Sequence, residues 1–262
     1  MTTITTSTST PEVSRAAEHR PSLARLTVVE ARKLVDTRAG RWLLITIGLV
    51  TAAVVALQLA YAPDAEQTFV NFYLPSLLPV GLLLPVLGIL SITSEWSQRT
   101  ALATFALVPR RERVIAAKLI ALVAAALAAL LASLAVAAVG TLIAGATGGA
   151  GTWRIEGMLL LHTAVFQVAN VLLGAGFGLL LLHTPLAIVT YLVLPNAWAI
   201  VGELVRPLRR AAEWLDAGRT MEPLFTAEMT AGQWGRLGVS LLVWLVVPLL
   251  AGLVRTMRRE VA

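Results

Sequence analysis

Cysteine is absent from the 262 residues, and charged residues are scarce. Without a thiol the chain cannot form disulfides, thiolate zinc sites or iron–sulfur clusters, and it has no cysteine nucleophile. Only 14% of the residues are charged and 57% are apolar, whereas an ordinary soluble domain is about a quarter charged. This composition argues against a soluble globular protein.

Lysine is also rare, with Lys33 and Lys118 as the two lysines of the sequence. Neither follows a glycine in the arrangement that cradles nucleotide phosphates in a P-loop. The chain is therefore not expected to be an ATPase, and no metal or cofactor site is predicted on it.

Five stretches contain no Asp, Glu, Lys or Arg, and each is at least 18 residues long. They are 42–63, 67–94, 119–153, 157–202 and 237–254. An 18-residue helix is about 27 Å long and can cross a hydrocarbon core of about 30 Å. The fourth stretch is long enough for two crossings, separated by a turn at His183-Thr184-Pro185. There Thr184 is expected to cap the next helix, with Pro185 at its first position.

The sequence therefore predicts an all-α, polytopic membrane protein with six transmembrane helices. Their expected positions are about 42–61, 72–93, 118–144, 157–181, 185–203 and 237–255. Residues 1–20, rich in Ser and Thr at their start, are predicted to form a disordered tail before a transmembrane domain over 21–262.

The basic residues are distributed unevenly along the chain. Fifteen of the 21 Lys and Arg residues fall within 1–41, 94–118 and 255–262. Because basic residues accumulate on the cytoplasmic side of membrane proteins, both termini are predicted to be cytoplasmic. The expected location is the plasma membrane of a bacterium, and the positive charge is interpreted as a topology signal and not as a nucleic-acid site.

Two cytoplasmic elements are predicted to contact lipid headgroups or a partner protein. Residues 23–36 form an amphipathic helix with Val28, Ala31 and Leu34 on its apolar side and Arg32 and Lys33 on the other. Such a helix lies in the headgroup plane, either as an anchor to anionic lipid or as a binding surface for a partner.

The second element is the loop between spans two and three. Pro109 should end a short helix over 100–107, and a new helix should run from Arg110 into the third span. Leu102, Phe105 and Ala106 share one face of the short helix, which suits a groove on another protein. A membrane-skimming loop with a solvated basic cluster is the alternative.

The run from Glu95 to Lys118 resembles the signature of type 2 ABC exporter permeases. An acidic residue and an Arg-x-Thr-like step leave the second span, a Leu-x-Pro-x-Arg segment follows, and a lysine opens the third span. The helix carrying Glu30-Ala-Arg-Lys33 and the ending Arg258-Arg-Glu260 are similar to the same family. Ser97-Gln98 departs from the pattern, where a basic residue is common.

This resemblance implies a coupling helix in the loop, seated on a cytoplasmic ATPase, beside an elbow helix at the N-terminus. It also implies ATP and Mg²⁺ on that partner chain and a second permease that completes a dimeric pore. The candidate coupling-loop residues are Glu95, Arg99, Thr100, Thr104, Phe105, Pro109, Arg110, Arg111 and Lys118. The candidate elbow residues are Arg25, Glu30, Arg32 and Lys33.

The predicted spans also contain polar residues, glycines and prolines that have a possible role in transport or in helix packing. Gln167, Asn170 and Asn196 fall near mid-membrane, where they line a translocation path or form interhelical hydrogen bonds. Gly174 and Gly178 are spaced for close helix contact. Pro75, Pro79 and Pro85 interrupt the second span, as a kinked gate or as bends satisfied by neighbouring helices.

These features predict the permease subunit of an ABC exporter, with an intramembrane enzyme and a secondary transporter as alternatives. No His-Glu-x-x-His motif and no Gly-x-Ser-x-Gly turn is present, and no Asp or Glu lies inside a predicted span. A secondary transporter is expected to carry paired ionisable groups at mid-membrane, which these spans lack.

Overall fold

The structure, a computed structural model, describes residues 22–97 and 111–258. Within these ranges the chain is all-α, without a strand. The predicted tail and the predicted coupling helix over 100–107 lie outside the described residues. The helices are α1 (Leu23–Asp36), α2 (Arg38–Tyr61), α3 (Phe69–Ser97), α4 (Arg111–Thr147), α5 (Gly157–Leu181), α6 (Thr184–Leu204), α7 (Arg209–Leu215), α8 (Ala217–Met221) and α9 (Ala231–Arg258).

Six of these helices are long and apolar enough to cross a membrane, namely α2, α3, α4, α5, α6 and α9. The number and order of the predicted spans are therefore confirmed, and the chain is a multi-pass membrane protein. Five of the six helices extend beyond the charge-free stretches, because their terminal turns carry flanking charged residues, whereas α5 lies within its stretch. The longest described helix is α4, which has 37 residues and begins at Arg111, before the charge-free stretch that starts at Leu119.

Helices α3 and α5 form the centre of the bundle. In their most apolar stretches 61% and 56% of the residues are buried, against 17% to 28% in the other four spans. Gly174 and Gly178 let the two helices approach, since Gly174 faces the backbone of Pro85 and Gly178 faces Ile89. The predicted close packing at these glycines is confirmed.

One proline of α3 has an interhelical partner for the carbonyl that it leaves free. Pro75 has no N–H to donate to the carbonyl of Asn71, four residues earlier. The side-chain amide of Gln58 in α2 donates to that carbonyl instead, at 2.7 Å. At Pro75 the structure therefore shows a bend satisfied by a neighbouring helix.

The turn between α5 and α6 lies where it was predicted, but its cap differs. Leu182 adopts a left-handed conformation with φ 52°, and the ring Nδ1 of His183 accepts from the backbone N–H of Leu186. The expectation that Thr184 caps the helix is wrong: His183 is extended and takes that role, while Thr184 is the first helical residue and Pro185 the second. The Thr184 hydroxyl lies 2.7 Å from that of Thr93 in α3.

The bundle has two distinct ends. The first, here called the lysine end, contains the α1–α2 corner at Thr37, the turn at His183 and the start of α4. The opposite end contains the segments 62–68, 148–156 and 205–230. At that end, the carbonyl of Thr226 lies 2.7 Å from Nδ1 of His162, which ties the longest of these segments to α5.

Candidate functional site

Four charged side chains from three helices meet at the lysine end and form what we call the charge cluster: Glu30 and Lys33 of α1, Glu95 of α3 and Lys118 of α4. The Lys118 ammonium donates to Glu30 at 2.6 Å and to Glu95 at 3.0 Å. The Lys33 ammonium donates to the same two carboxylates, at 2.7 Å and 2.9 Å. Each cation therefore contacts both anions, and the formal charges balance.

The cluster is buried on one side and open on the other. The side chains of Glu30 and Lys118 are each 6% exposed, whereas that of Lys33 is 42% exposed. Lys118 also donates to the carbonyl of Ser91 at 3.1 Å, which fixes its ammonium against α3. Removing one buried member would leave the other three with an unbalanced charge, so these contacts favour one geometry of the three helices.

Local sequence explains how α1 delivers two of the four charges. Glu30 and Lys33 are three residues apart and therefore share a helix face. That face packs on the bundle, mainly against α4, with Leu34 buried beside Glu30. The sequence predicts Lys33 on the side of α1 opposite the apolar residues; in the structure its side chain is 42% exposed, and its ammonium contacts the carboxylates of Glu30 and Glu95.

The outer face of α1 differs from the predicted polar face, because it carries exposed apolar residues as well as arginines. Val28, Val29 and Val35 are exposed there, and so are Arg25 and Arg32. The two arginines therefore lie apart from the charge cluster that Glu30 and Lys33 form.

Lys33 lies in α1, outside the membrane-spanning helices. Burial lowers its pKa, but the hydrogen bonds to Glu30 and Glu95, together with their negative charges, outweigh burial and raise the pKa above its ordinary value. Lys33 is therefore protonated at neutral pH, which the paired geometry requires.

A cavity of about 600 Å³ lies beside the cluster, between the α1–α2 corner and the last turns of α3. Its lining combines the charged cluster with Arg38, the hydroxyl residues Ser91 and Ser94, and the apolar Leu87. The lysine end thus carries the charge cluster and an adjoining cavity with a mixed polar and apolar lining.

The predicted coupling residues divide into two groups. Glu95 and Lys118 lie in the cluster, and the Arg111 guanidinium donates to the carbonyl of Thr256 in α9 at 3.1 Å. The others lie outside the described residues: Arg99, Thr100, Thr104, Phe105, Pro109 and Arg110. The structure therefore describes both flanks of the predicted coupling loop.

The structure brings two of the three predicted translocation-path residues to one cavity and places the third elsewhere. Gln167 is buried between α5 and α3, and its amide lies 3.4 Å from the carbonyl of Leu77. Asn170 and Asn196 line a second cavity, of about 380 Å³, between the spans and α8. Asp216 and Glu222 line the same cavity.

Sequence reasoning named the four cluster residues in two separate elements and missed their contact. One signal was present, because Glu95 directly follows one charge-free stretch and Lys118 directly precedes another. Both charges therefore lie at the edge of the apolar region, where pairing with an opposite charge is favourable. Asp216 and Glu222 were not predicted to share a site with Asn170 and Asn196, since the five arginines of residues 204–236 dominate the charge of that segment. No group of three or more metal-ligating side chains occurs in the described ranges.

Comparison with protein-family models, with curated proteins and with solved structures finds no match to this chain.

Proposed function

We propose that the chain is the membrane-spanning permease subunit of an ABC exporter. It forms half of a pore with a second permease subunit, in a homodimer or heterodimer, and cytoplasmic ATPase subunits drive export. ATP and Mg²⁺ bind to those partner chains, and this chain binds neither cofactor nor nucleic acid. The complex resides in the plasma membrane of a bacterium, with the lysine end and both termini in the cytoplasm.

The observation that carries the proposal is the charge cluster at the flanks of the loop 98–110. Glu95 lies near the end of α3, before the loop, and Lys118 lies near the start of α4, after it. Both are joined to Glu30 and Lys33 of α1. A force applied to the loop would therefore act on α1, α3 and α4 together. Coupling to a separate ATPase requires such a joint movement of helices.

The position of the cluster also favours this proposal over a secondary transporter. Such transporters place their ionisable coupling groups near the bilayer midplane. Here Glu95 lies in the last turn of α3 and Lys118 within the first turns of α4, at the end of the bundle. An intramembrane enzyme would need an acid, base or nucleophile arranged for chemistry, and both carboxylates of the cluster are engaged with lysines.

The test is co-purification of the tagged full-length chain with an ATPase from native membranes. The loop variant replaces Pro109→Ala and Arg110→Ala together. Its matched control, Pro63→Ala with Arg154→Ala, removes the same residue types at the opposite end, where both are exposed. We expect an ATPase with a P-loop to accompany the wild type and the control, and to be lost with the loop variant.

ATP-dependent export from inverted vesicles provides the second readout. It should fall with the loop variant and remain with the control. If ATPase recovery and export both stay at wild-type level in the loop variant, the proposed coupling function is wrong.

A further inference from the structure

The second cavity, here called the outer cavity, has a lining that points to a class of ligand. It lies between α3, α5, α6 and α8, and reaches from the middle of the spans to the segment 205–230. Its volume of about 380 Å³ is within the range of small-molecule sites. Leu78 and Leu82, which line one side, are 62% and 56% exposed, so the cavity opens at the surface of the bundle among the spans.

The charge of this lining is negative although the chain as a whole is basic. Among the described residues that line it, the charged ones are Asp216 and Glu222. The nearest arginine along the chain, Arg219, is exposed, and its guanidinium pairs with Glu203 at 3.2 Å. Asp216 accepts from the backbone N–H of Arg219 with one oxygen, Oδ1. Among the described residues, neither Asp216 nor Glu222 forms a salt bridge with an arginine.

The uncharged polar groups of the lining present acceptors. The Asn170 amide donates to the Phe166 carbonyl at 3.2 Å, and the Asn196 amide donates to the Leu192 carbonyl at 2.6 Å. The Asn170 amide also donates to Sδ of Met221 at 3.7 Å, whereas Asn196 keeps one of its two amide hydrogens. The side-chain oxygens of both residues remain available as acceptors. Tyr191 is 9% exposed, and within the described ranges its hydroxyl has no hydrogen-bond partner.

The remaining wall is aromatic and aliphatic. Phe166 and Phe225 meet edge to face with ring centroids 4.6 Å apart, and both line the cavity. Aromatic faces attract cations, and they attract them more strongly where water is excluded. Carboxylates, amide oxygens and aromatic rings around an apolar space are together complementary to a positive centre on an apolar body.

We propose that the outer cavity binds amphiphilic organic cations, and that such cations are the class of molecule the protein exports. The export part of this inference rests on the proposed function, whereas the binding part does not need an ATPase. The exposed Leu78 and Leu82 side gives an apolar ligand access from the bilayer, and the carboxylates lie toward the end of the bundle assigned to the exterior.

The binding test uses tetraphenylphosphonium and tetraphenylborate, which have nearly the same size and shape and carry opposite charges. Equilibrium binding is measured on the full-length chain in phosphatidylcholine nanodiscs. The wild type should bind the cation more tightly than the anion. The variant Asp216→Asn with Glu222→Gln should weaken cation binding by about tenfold or more, as expected for loss of charge partners in a partly dehydrated site.

The control variant, Glu213→Gln with Glu228→Gln, removes the same charge from the same segment outside the cavity lining. It should retain wild-type cation binding. A second variant, Phe166→Leu, keeps an apolar wall and should weaken cation binding without a matching loss of anion binding. Asn at position 216 can still accept the α8 cap hydrogen bond, so thermal unfolding should stay close to that of the wild type.

Three results would overturn the inference: equal binding of the two ions by the wild type, unchanged cation binding in the cavity variants, or an equal loss in the control. ATPase co-purification separates this failure from failure of the proposed function. An intact ATPase complex without cavity-dependent cation binding would refute the inference alone. Cavity-dependent binding by a chain that recruits no ATPase would refute the proposed function and the export part.

Discussion

At the scale of single residues, the charge cluster shows how few side chains can join three helices. Burying an ion pair is itself costly, and replacing both partners by apolar groups is often tolerated. Removing one partner is different, because the remaining charge is left buried. Substituting one member of the cluster is therefore expected to lower the free energy of unfolding, and substituting a cation and an anion together should lower it less.

This sensitivity can be measured with a double-mutant cycle on Lys118 and Glu30. Lys118→Met should lower the free energy of unfolding by about 3 kcal/mol, since it leaves two carboxylates without their buried cation. Adding Glu30→Gln should recover part of the loss, because one of those carboxylates is then neutral. Unfolding in detergent, followed by tryptophan fluorescence, provides the measurement.

The exposed pair Arg219 and Glu203 serves as the control for that cycle, because their side chains are 43% and 68% exposed. Glu203→Gln should change stability by less than about 1 kcal/mol. Equal losses for Lys118→Met and Glu203→Gln would contradict the claim that burial makes the cluster sensitive.

At the scale of helices, close packing of α5 depends on its glycines. A Cβ atom added at Gly174 would lie 2.8 Å from Cβ of Pro85 and would also meet the backbone of that residue. Gly174→Ala should therefore separate α3 from α5 and lower the free energy of unfolding by about 2 kcal/mol. Thermal unfolding of the purified chain checks this expectation.

Gly48 in α2 is the matched control, because a Cβ atom there would meet nothing within 4 Å. Gly48→Ala should be neutral or should stabilise the helix by up to about 1 kcal/mol, since alanine is the better helix former. A Gly174→Ala protein as stable as Gly48→Ala would show that the two helices can repack freely.

The helices also show what the sequence could and could not predict. The spans were predictable because hydrocarbon excludes charge, so every charge-free stretch of sufficient length marks a crossing. The charge cluster was not, because residues 30, 95 and 118 meet only after three helices pack. The same holds for Gln58, whose partner is a carbonyl freed by a proline on another helix. The His183 cap was missed because Thr184 is the commoner capping residue.

At the scale of the whole molecule, the two sites lie toward opposite ends of the helical bundle. The charge cluster lies at the lysine end, and the outer cavity reaches the segment 205–230 at the opposite end. Helix α3 contributes to both, with Glu95 at one site and Leu78 and Leu82 at the other, so under the proposed function it provides a direct connection between them. The proposed function requires the lysine end to face the cytoplasm.

The absence of cysteine makes that orientation directly testable by labelling. Glu112 and Glu228 are exposed acids at the lysine end and the opposite end, so Glu112→Cys and Glu228→Cys each introduce one thiol with the same change in charge. A membrane-impermeant maleimide should label Glu228→Cys in intact cells, and Glu112→Cys only after the membrane is permeabilised. The basic residues favour this orientation because they concentrate at the lysine end. Labelling of Glu112→Cys in intact cells would instead place the charge cluster outside, away from any cytoplasmic ATPase, and would contradict the proposed function.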